Sequence, residues 1–301
     1  MAYAGFWAMA SVAAISLVGA DKQGRAMGVV VSGLSVATII GVQGGTLLAQ
    51  HAGWEAAFWA VAAMTALSTI SLLIALPGGR DTTTAQPRLA TELRSLMQPR
   101  LWVAYATTAL TVAAQFAIFS YLGALLEGVT GLSTGLVPLV LGLYGVGAFI
   151  GLTIGGRVAD RAPFTLLLMG MAAFIVAATA LAVTAHVAWV TIALVVLLGA
   201  ANFGVTPAVN ARVFSILGGT RTLGGAVNIA AFNVGIAVAP LASGLVINTG
   251  LGLAGTAWIG AAFGVAHMGS VLLDRHLTRR HEAGTEEPTT VSELEHAPAA
   301  S

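Results

Sequence analysis

Apolar residues run through this chain in long uninterrupted blocks, and polar residues gather in the short segments between them. The blocks fall near 2–20, 26–50, 54–76, 101–126, 133–154, 163–184, 188–211, 223–247 and 252–273. A helix needs about 20 mostly apolar residues to cross a bilayer, so the pattern predicts an all-α polytopic membrane protein with nine spans. Two longer polar stretches stand apart. Residues 77–100 read "PGGRDTTTAQPR", a loop, then "LATELRSLMQPR", which predicts a short interfacial helix before Pro99. Residues 274–301 carry five Glu and two Pro and read as a disordered tail.

Composition sharpens this picture. Of 301 residues, 57% are hydrophobic. A soluble protein of this length cannot hide that much apolar surface. The 37 Gly fit helices packed backbone to backbone in lipid. A net charge of +1 gives no signal for nucleic acid, and the lack of Cys removes disulfides and thiolate sites. No cofactor is expected. The first span ends in "SLVGAD", a possible cleavage site, but no Lys or Arg precedes it, so it reads as a membrane helix rather than a signal peptide.

The thirteen cations order the spans. They follow spans one, three, five, seven and nine, and none occurs in "HAG" (51–53), "EGVTGL" (127–132), "AHVA" (185–188) or "NTGL" (248–251). Cationic loops stay in the cytoplasm, which puts Met1 outside and Ser301 inside. A shift of 197 residues overlays spans one to three on spans seven to nine, with Gly28 on Gly225 and Gly53 on Gly250. The repeat predicts three further helices upstream of Met1.

Several motifs now resemble one family. "GRVADR" (156–161) is similar to the Gly–basic–x–x–Asp–Arg motif of the major facilitator superfamily. "SGLSVATIIGVQGG" (32–45) resembles the fifth-helix motif of its twelve-span drug:proton antiporters, of the chloramphenicol- and arabinose-efflux type. "DKQGRAMG" (21–28) and "GWEAAFW" (53–59) fit the flanks of that helix, and "NIAAFNVGIAVAP" (228–240) resembles the eleventh. Two positions depart: Gln43 stands where the motif has Pro, and Glu55 where related sequences carry Arg.

The resemblance implies family helices four to twelve and the following division. Residues 1–76 are a three-helix remnant of the N-terminal bundle, 77–100 a cytoplasmic linker, 101–273 the complete C-terminal six-helix bundle, and 274–301 the tail. It implies a secondary transporter of the bacterial cytoplasmic membrane, exporting a small drug-like or sugar solute by proton antiport and alternating access. The expected partners are that solute, protons and the bilayer. Gly156, Arg157, Asp160 and Arg161 become a gating latch, or else a helix cap and topology anchor. Gly33, Gly41, Gln43, Gly44 and Gly45 become a helix-packing seam. Phe6, Trp7, Gln115, Phe116, Phe119, Tyr144, Asn202, Asn210, Asn228 and Asn233 become candidate solute contacts, or simply interhelical hydrogen bonds. Asn228 and Asn233 are about 140° apart on a helix and cannot share a narrow face. Pro207 and Pro240 lie inside spans.

No carboxylate lies mid-span, and His267 is the one ionisable group well inside a span; it reads as structural. In the resembling antiporters the acidic coupling residue lies on the first helix, so coupling is not assigned to this chain. Two other classes remain: a membrane remnant that transports nothing, and an intramembrane serine protease in which "LASG" (241–244) supplies Ser243 as nucleophile and His267 the base.

Overall fold

The computed structural model describes residue 33 and residues 37–75, 96–159, 161–217 and 222–285. Among these, every regular element is helical. A π-helical turn, Ala37–Gly41, leads into α1, Val42–Ala52. Gly53, at φ 85°, closes that helix and donates its N–H to the Ala49 carbonyl; only glycine takes such a φ without strain. α2 follows as Trp54–Ala75. Next among the described residues come α3, Pro99–Phe119; α4, Leu122–Gly128; α5, Val137–Ala159; α6, Pro163–Thr184; α7, Ala188–Leu217; α8, Thr222–Ile247; and α9, Gly255–Thr285.

Six described helical segments are long and apolar enough to cross a membrane, α3 and α4 counting as one. Their outer faces carry Met169, Val176, Leu241, Leu245 and Val265, all exposed. Lipid tails solvate such a belt at no cost, whereas water penalises it at about 25 cal/mol per Å².

The six spans pack with α3 near the centre. It contacts α7, α8 and α9; α7 packs on α5 and α6, and α6 on α9. A large cluster centred on Leu122, Leu125, Met171, Phe174, Val195 and Val205 joins α3–α7 and α9. Outside the bundle, the π-turn and α1 touch α5.

Proline and glycine chemistry sets several boundaries. Pro99 and Pro163 open α3 and α6 at the first helical turn, where a missing N–H costs nothing. Span four, expected as one helix over 101–126, breaks at Ser120–Tyr121. The Tyr121 hydroxyl donates across that break to the Pro240 carbonyl of α8. Span seven runs on past 211 to Leu217, straight through Pro207. The last helix continues past 273 to Thr285, where a disordered tail was expected. Asp274 holds that segment, because it is buried and paired.

Candidate functional site

Alternate spans bring one end of each helix to a common side. Arg100 near the start of α3, Arg212 near the end of α7, and Asp274 and Thr278 late in α9 meet there. Arg212 makes a two-pronged bond to Asp274, Nε to Oδ2 at 2.6 Å and an Nη to Oδ1 at 3.0 Å. The same guanidinium donates to Thr278 Oγ1 and lies 5.2 Å over the Phe164 ring. Arg100 donates to Thr278 from the other side at 3.1 Å, and its own Nε is buried without a partner. Among the described residues Arg212–Asp274 is the one ion pair.

Inward from this charged knot lies a layer of hydroxyls and amides. Thr108 Oγ1 donates to Asn228 Oδ1 at 2.8 Å, and Asn228 Nδ2 donates to Asn210 Oδ1 at 3.1 Å. This ties α3, α8 and α7 together. One turn deeper, Asn202 of α7 donates to the Thr111 carbonyl of α3 at 3.0 Å. Thr111 Oγ1 also lies 2.9 Å from His267 Nδ1 of α9.

Deeper still, the polar layer gives way to rings. Phe119 lies four residues after Gln115 and three after Phe116 on α3, so its ring neighbours both side chains. Phe116 meets Phe119 edge-on at 6.1 Å. Phe119 lies against Tyr144 of α5 at 4.9 Å, and Tyr144 meets Phe203 of α7 edge-on at 6.4 Å. Tyr144 is 4% exposed. Its hydroxyl lies beside the Gln115 side chain but makes no hydrogen bond of acceptable geometry. A buried hydroxyl without a partner is uncommon and is costly where it occurs. Aromatic walls with a few amides and one free hydroxyl are the materials of a pocket for a neutral polar solute.

The anticipated contacts therefore separate. Gln115, Phe116, Phe119 and Tyr144 form one wall, Asn210 and Asn228 one hydrogen-bonded pair, and Asn202 the link between α7 and α3. Asn233 is exposed and bonds its own helix at the Ile229 carbonyl, parting from Asn228 as their angular separation requires. Phe6, Trp7 and Asp160 lie outside the described residues. Arg157 and Arg161 are exposed, and neither makes an ion pair among the described residues.

The glycines of the expected seam have no close packing contact among the described residues. Gly33, Gly41, Gly44 and Gly45 have no atom of the described residues within 4 Å of where a Cβ would stand. Gln43 lies in the first turn of α1, and the irregularity of that helix falls just before it, as the π-turn. Among the described residues, close approach to a neighbouring backbone recurs along α5. A Cβ on Gly147, Gly151 or Gly155 would overlap the carbonyl oxygens of Val196, Ala200 and Gly204 on α7. The four-residue repeat of small positions in "GVGAFIGLTIGG" was visible in the sequence as the sign of such a contact. Phe203 carried no such sign, being one apolar residue in an apolar span.

The protease reading fails on geometry. Ser243 Oγ donates to the Ala117 carbonyl at 2.9 Å, and His267 is bonded to Thr111. No nucleophile–base pair forms between them.

Comparison with known proteins agrees with this architecture. Over 260 residues the chain is 39% identical to a chloramphenicol resistance protein of Streptomyces lividans, covering 86% of this chain and 66% of that protein. Over 253 residues it is 36% identical to the inner membrane transport protein YdhP of Escherichia coli strain K12, covering 82% and 63%. The chain thus spans just under two thirds of the length of these relatives. The outward conformation of the transporter FucP shares the fold, with a TM-score of 0.56 at 16% identity over 74% of this chain and 55% of that one. The profile described as Major Facilitator Superfamily matches residues 1–229. With that match and two relatives above 30% identity, the chain belongs to the Major Facilitator Superfamily.

Proposed function

We propose that this chain works in a secondary transporter of the bacterial inner membrane that exports a small, neutral, drug-like solute by alternating access, in exchange for protons. The observation that carries the reading is the aromatic wall of Phe119, Tyr144 and Phe203 with the unpartnered Tyr144 hydroxyl beside Gln115. A solute with an aromatic face and a hydrogen-bond acceptor answers both features. The similarity to a chloramphenicol resistance protein and to an inner membrane transport protein supports efflux of an amphenicol-like compound. The division at 77–100 and 101–273 and a cytoplasmic C-terminus belong to the same proposal, supported by the gathering of Arg100, Arg212 and Asp274 at one end.

Uptake of a labelled amphenicol tests this in a bacterial host lacking its own efflux pumps. Expression lowers steady-state accumulation, and collapsing the proton gradient restores it. Accumulation equal to the empty-vector control contradicts the proposal.

Tyr144→Phe separates solute contact from structure. The hydroxyl has no partner to lose, so unfolding stability holds or rises slightly. Solute affinity falls by about 1 kcal/mol, roughly fivefold. A variant that loses stability and keeps its affinity assigns the hydroxyl to the fold instead.

Asp160→Asn tests the latch. A carboxylate close before a helix in the chain favours its N-terminus by about 1 kcal/mol. Efflux slows while membrane insertion, read by protease protection of the loops, stays unchanged. Unaltered solute accumulation contradicts the gating role of Gly156, Arg157, Asp160 and Arg161.

A further inference from the structure

His267 is completely enclosed, and its two ring nitrogens are treated differently. Nδ1 lies 2.9 Å from Thr111 Oγ1. The Thr111 hydroxyl donates its own proton to the Thr107 carbonyl at 2.7 Å, and a carbonyl can only accept. Thr111 Oγ1 is therefore the acceptor toward the ring, and the ring proton sits on Nδ1. Nε2 is left with a bare lone pair, buried and without a partner. The Thr107 carbonyl of α3 and the Leu167 carbonyl of α6 also approach the ring, and both are acceptors. These surroundings offer the ring acceptors alone. A second proton would convert Nε2 from an unanswered acceptor into a donor.

The faces around the ring hold no counter-charge. α9 packs on α3, α6 and α8. α6 and α8 carry no titratable side chain, and α3 carries Arg100 at its start and Tyr105. On α9 the nearest charge is Asp274, seven residues on, and it is held by Arg212 of α7. A proton arriving at His267 thus creates a charge that no neighbour neutralises, so its arrival requires a rearrangement of what surrounds the ring.

Room for a water lies near the ring, and a readout adjoins it. A small void lined by Thr107, Leu167, Arg212 and Asp274 lies between the charged knot and the ring's neighbours, with room for about one water. On the other side, the Thr111 residue that holds Nδ1 accepts Asn202 Nδ2 at its carbonyl, and Asn202 adjoins Phe203 of the aromatic wall. From this we infer that His267 is a reversible proton-binding site, filled from the Arg212–Asp274 end, whose occupancy is transmitted through Thr111 to Asn202. The step forms one N–H bond at Nε2 as one O–H bond of a hydronium ion breaks and leaves water, and release is the reverse. The proton site stands without the transport reading; its effect on a solute rests on that reading.

Nitrogen NMR of the full chain in lipid nanodiscs, with labelled His and Asn, decides the matter. His267→Gln identifies the ring among six His. At high pH the ring shows the Nδ1–H tautomer. As the pH falls it becomes imidazolium, and the Asn202 side-chain amide moves with the same midpoint. In His267→Gln the Asn202 movement is lost, and the chain takes up one proton fewer. In Thr111→Val the ring still titrates and Asn202 no longer follows, a comparison that decides the question even if the Gln variant does not fold. A ring that stays neutral over the whole pH range in which the protein remains folded overturns the inference. So does an Asn202 response that persists in either variant. Binding of a labelled amphenicol, measured alongside, becomes independent of pH in His267→Gln. An absence of amphenicol binding at every pH would contradict the transport reading and leave the proton site standing.

Discussion

Replacing Arg212 by Ala lowers the unfolding stability by about 3–5 kcal/mol, because it strands a buried carboxylate. Asp274 is 4% exposed on its side chain and Arg212 17%, so water cannot take over the lost bonds. An exposed ion pair of the same geometry would be worth about 1 kcal/mol or less. Burial, not the number of bonds, sets the larger figure. A double replacement, Arg212→Met with Asp274→Leu, discriminates between the two accounts. If the cost is an orphaned charge, the apolar pair recovers most of it, to within about 1 kcal/mol of the parent. If the cost is loss of the knot with Thr278 and Phe164, the double variant stays as unstable as the single one. Equilibrium unfolding of the full chain in detergent micelles measures both. A single variant within about 1 kcal/mol of the parent would mean that Asp274 is effectively solvated.

That pair also marks where the sequence stops being legible. Arg212 is one of the cations that follow span seven and Asp274 opens the polar stretch after span nine, and the two lie at a common end. Nothing in the chain says that residues 62 positions apart on spans seven and nine will touch, because that depends on how α7, α3 and α9 cross. The spans themselves were readable, since bilayer thickness imposes a length on every apolar block: 163–184 and Trp54–Ala75 fall nearly where hydropathy puts them. The superfamily was readable from "GRVADR" and the fifth-helix run, motifs contiguous in sequence. The ends of spans were less so. Asp274 keeps α9 helical past 273 through a tertiary bond, and the break at Ser120–Tyr121 is bridged by a contact with Pro240.

The candidate site divides along the same line. Phe119 neighbours both Gln115 and Phe116 by helical period alone, so those two pairings were foreseeable. Tyr144 and Phe203 join them only because α5 and α7 press together. The amides were correctly picked out as unusual, yet position cannot tell a solute contact from a helix tie. Asn228 and Asn210 bond each other, and Asn202 bonds a backbone carbonyl. What these bonds do is fix the polar layer that adjoins the aromatic wall.

The approach of α5 to α7 therefore controls the wall, and Gly151→Ala should disrupt it more than any substitution of the wall itself. A Cβ at Gly151 overlaps the Ala200 carbonyl carbon, Cα and oxygen, all backbone, so no side chain can turn aside. The helices must separate, and Gly147 and Gly155, one turn to either side against Val196 and Gly204, lose their contacts with it. Because the matched residues advance together along both chains, the two helices run parallel, and the seam covers about 12 Å. Overpacking a core by one methyl costs about 1–3 kcal/mol where neighbours can adjust. Against rigid backbone on a repeated seam the loss exceeds about 3 kcal/mol, and solute binding falls with it because Tyr144 moves away from Phe203. Gly156→Ala supplies the contrast on the same helix. Nothing lies within 4 Å of its Cβ, so it is neutral or gains up to about 1 kcal/mol from helix propensity. Equal unfolding midpoints for the two variants in one detergent would show that α5 and α7 are not in backbone contact, and the aromatic wall would then have to be assembled by something other than the glycines of α5.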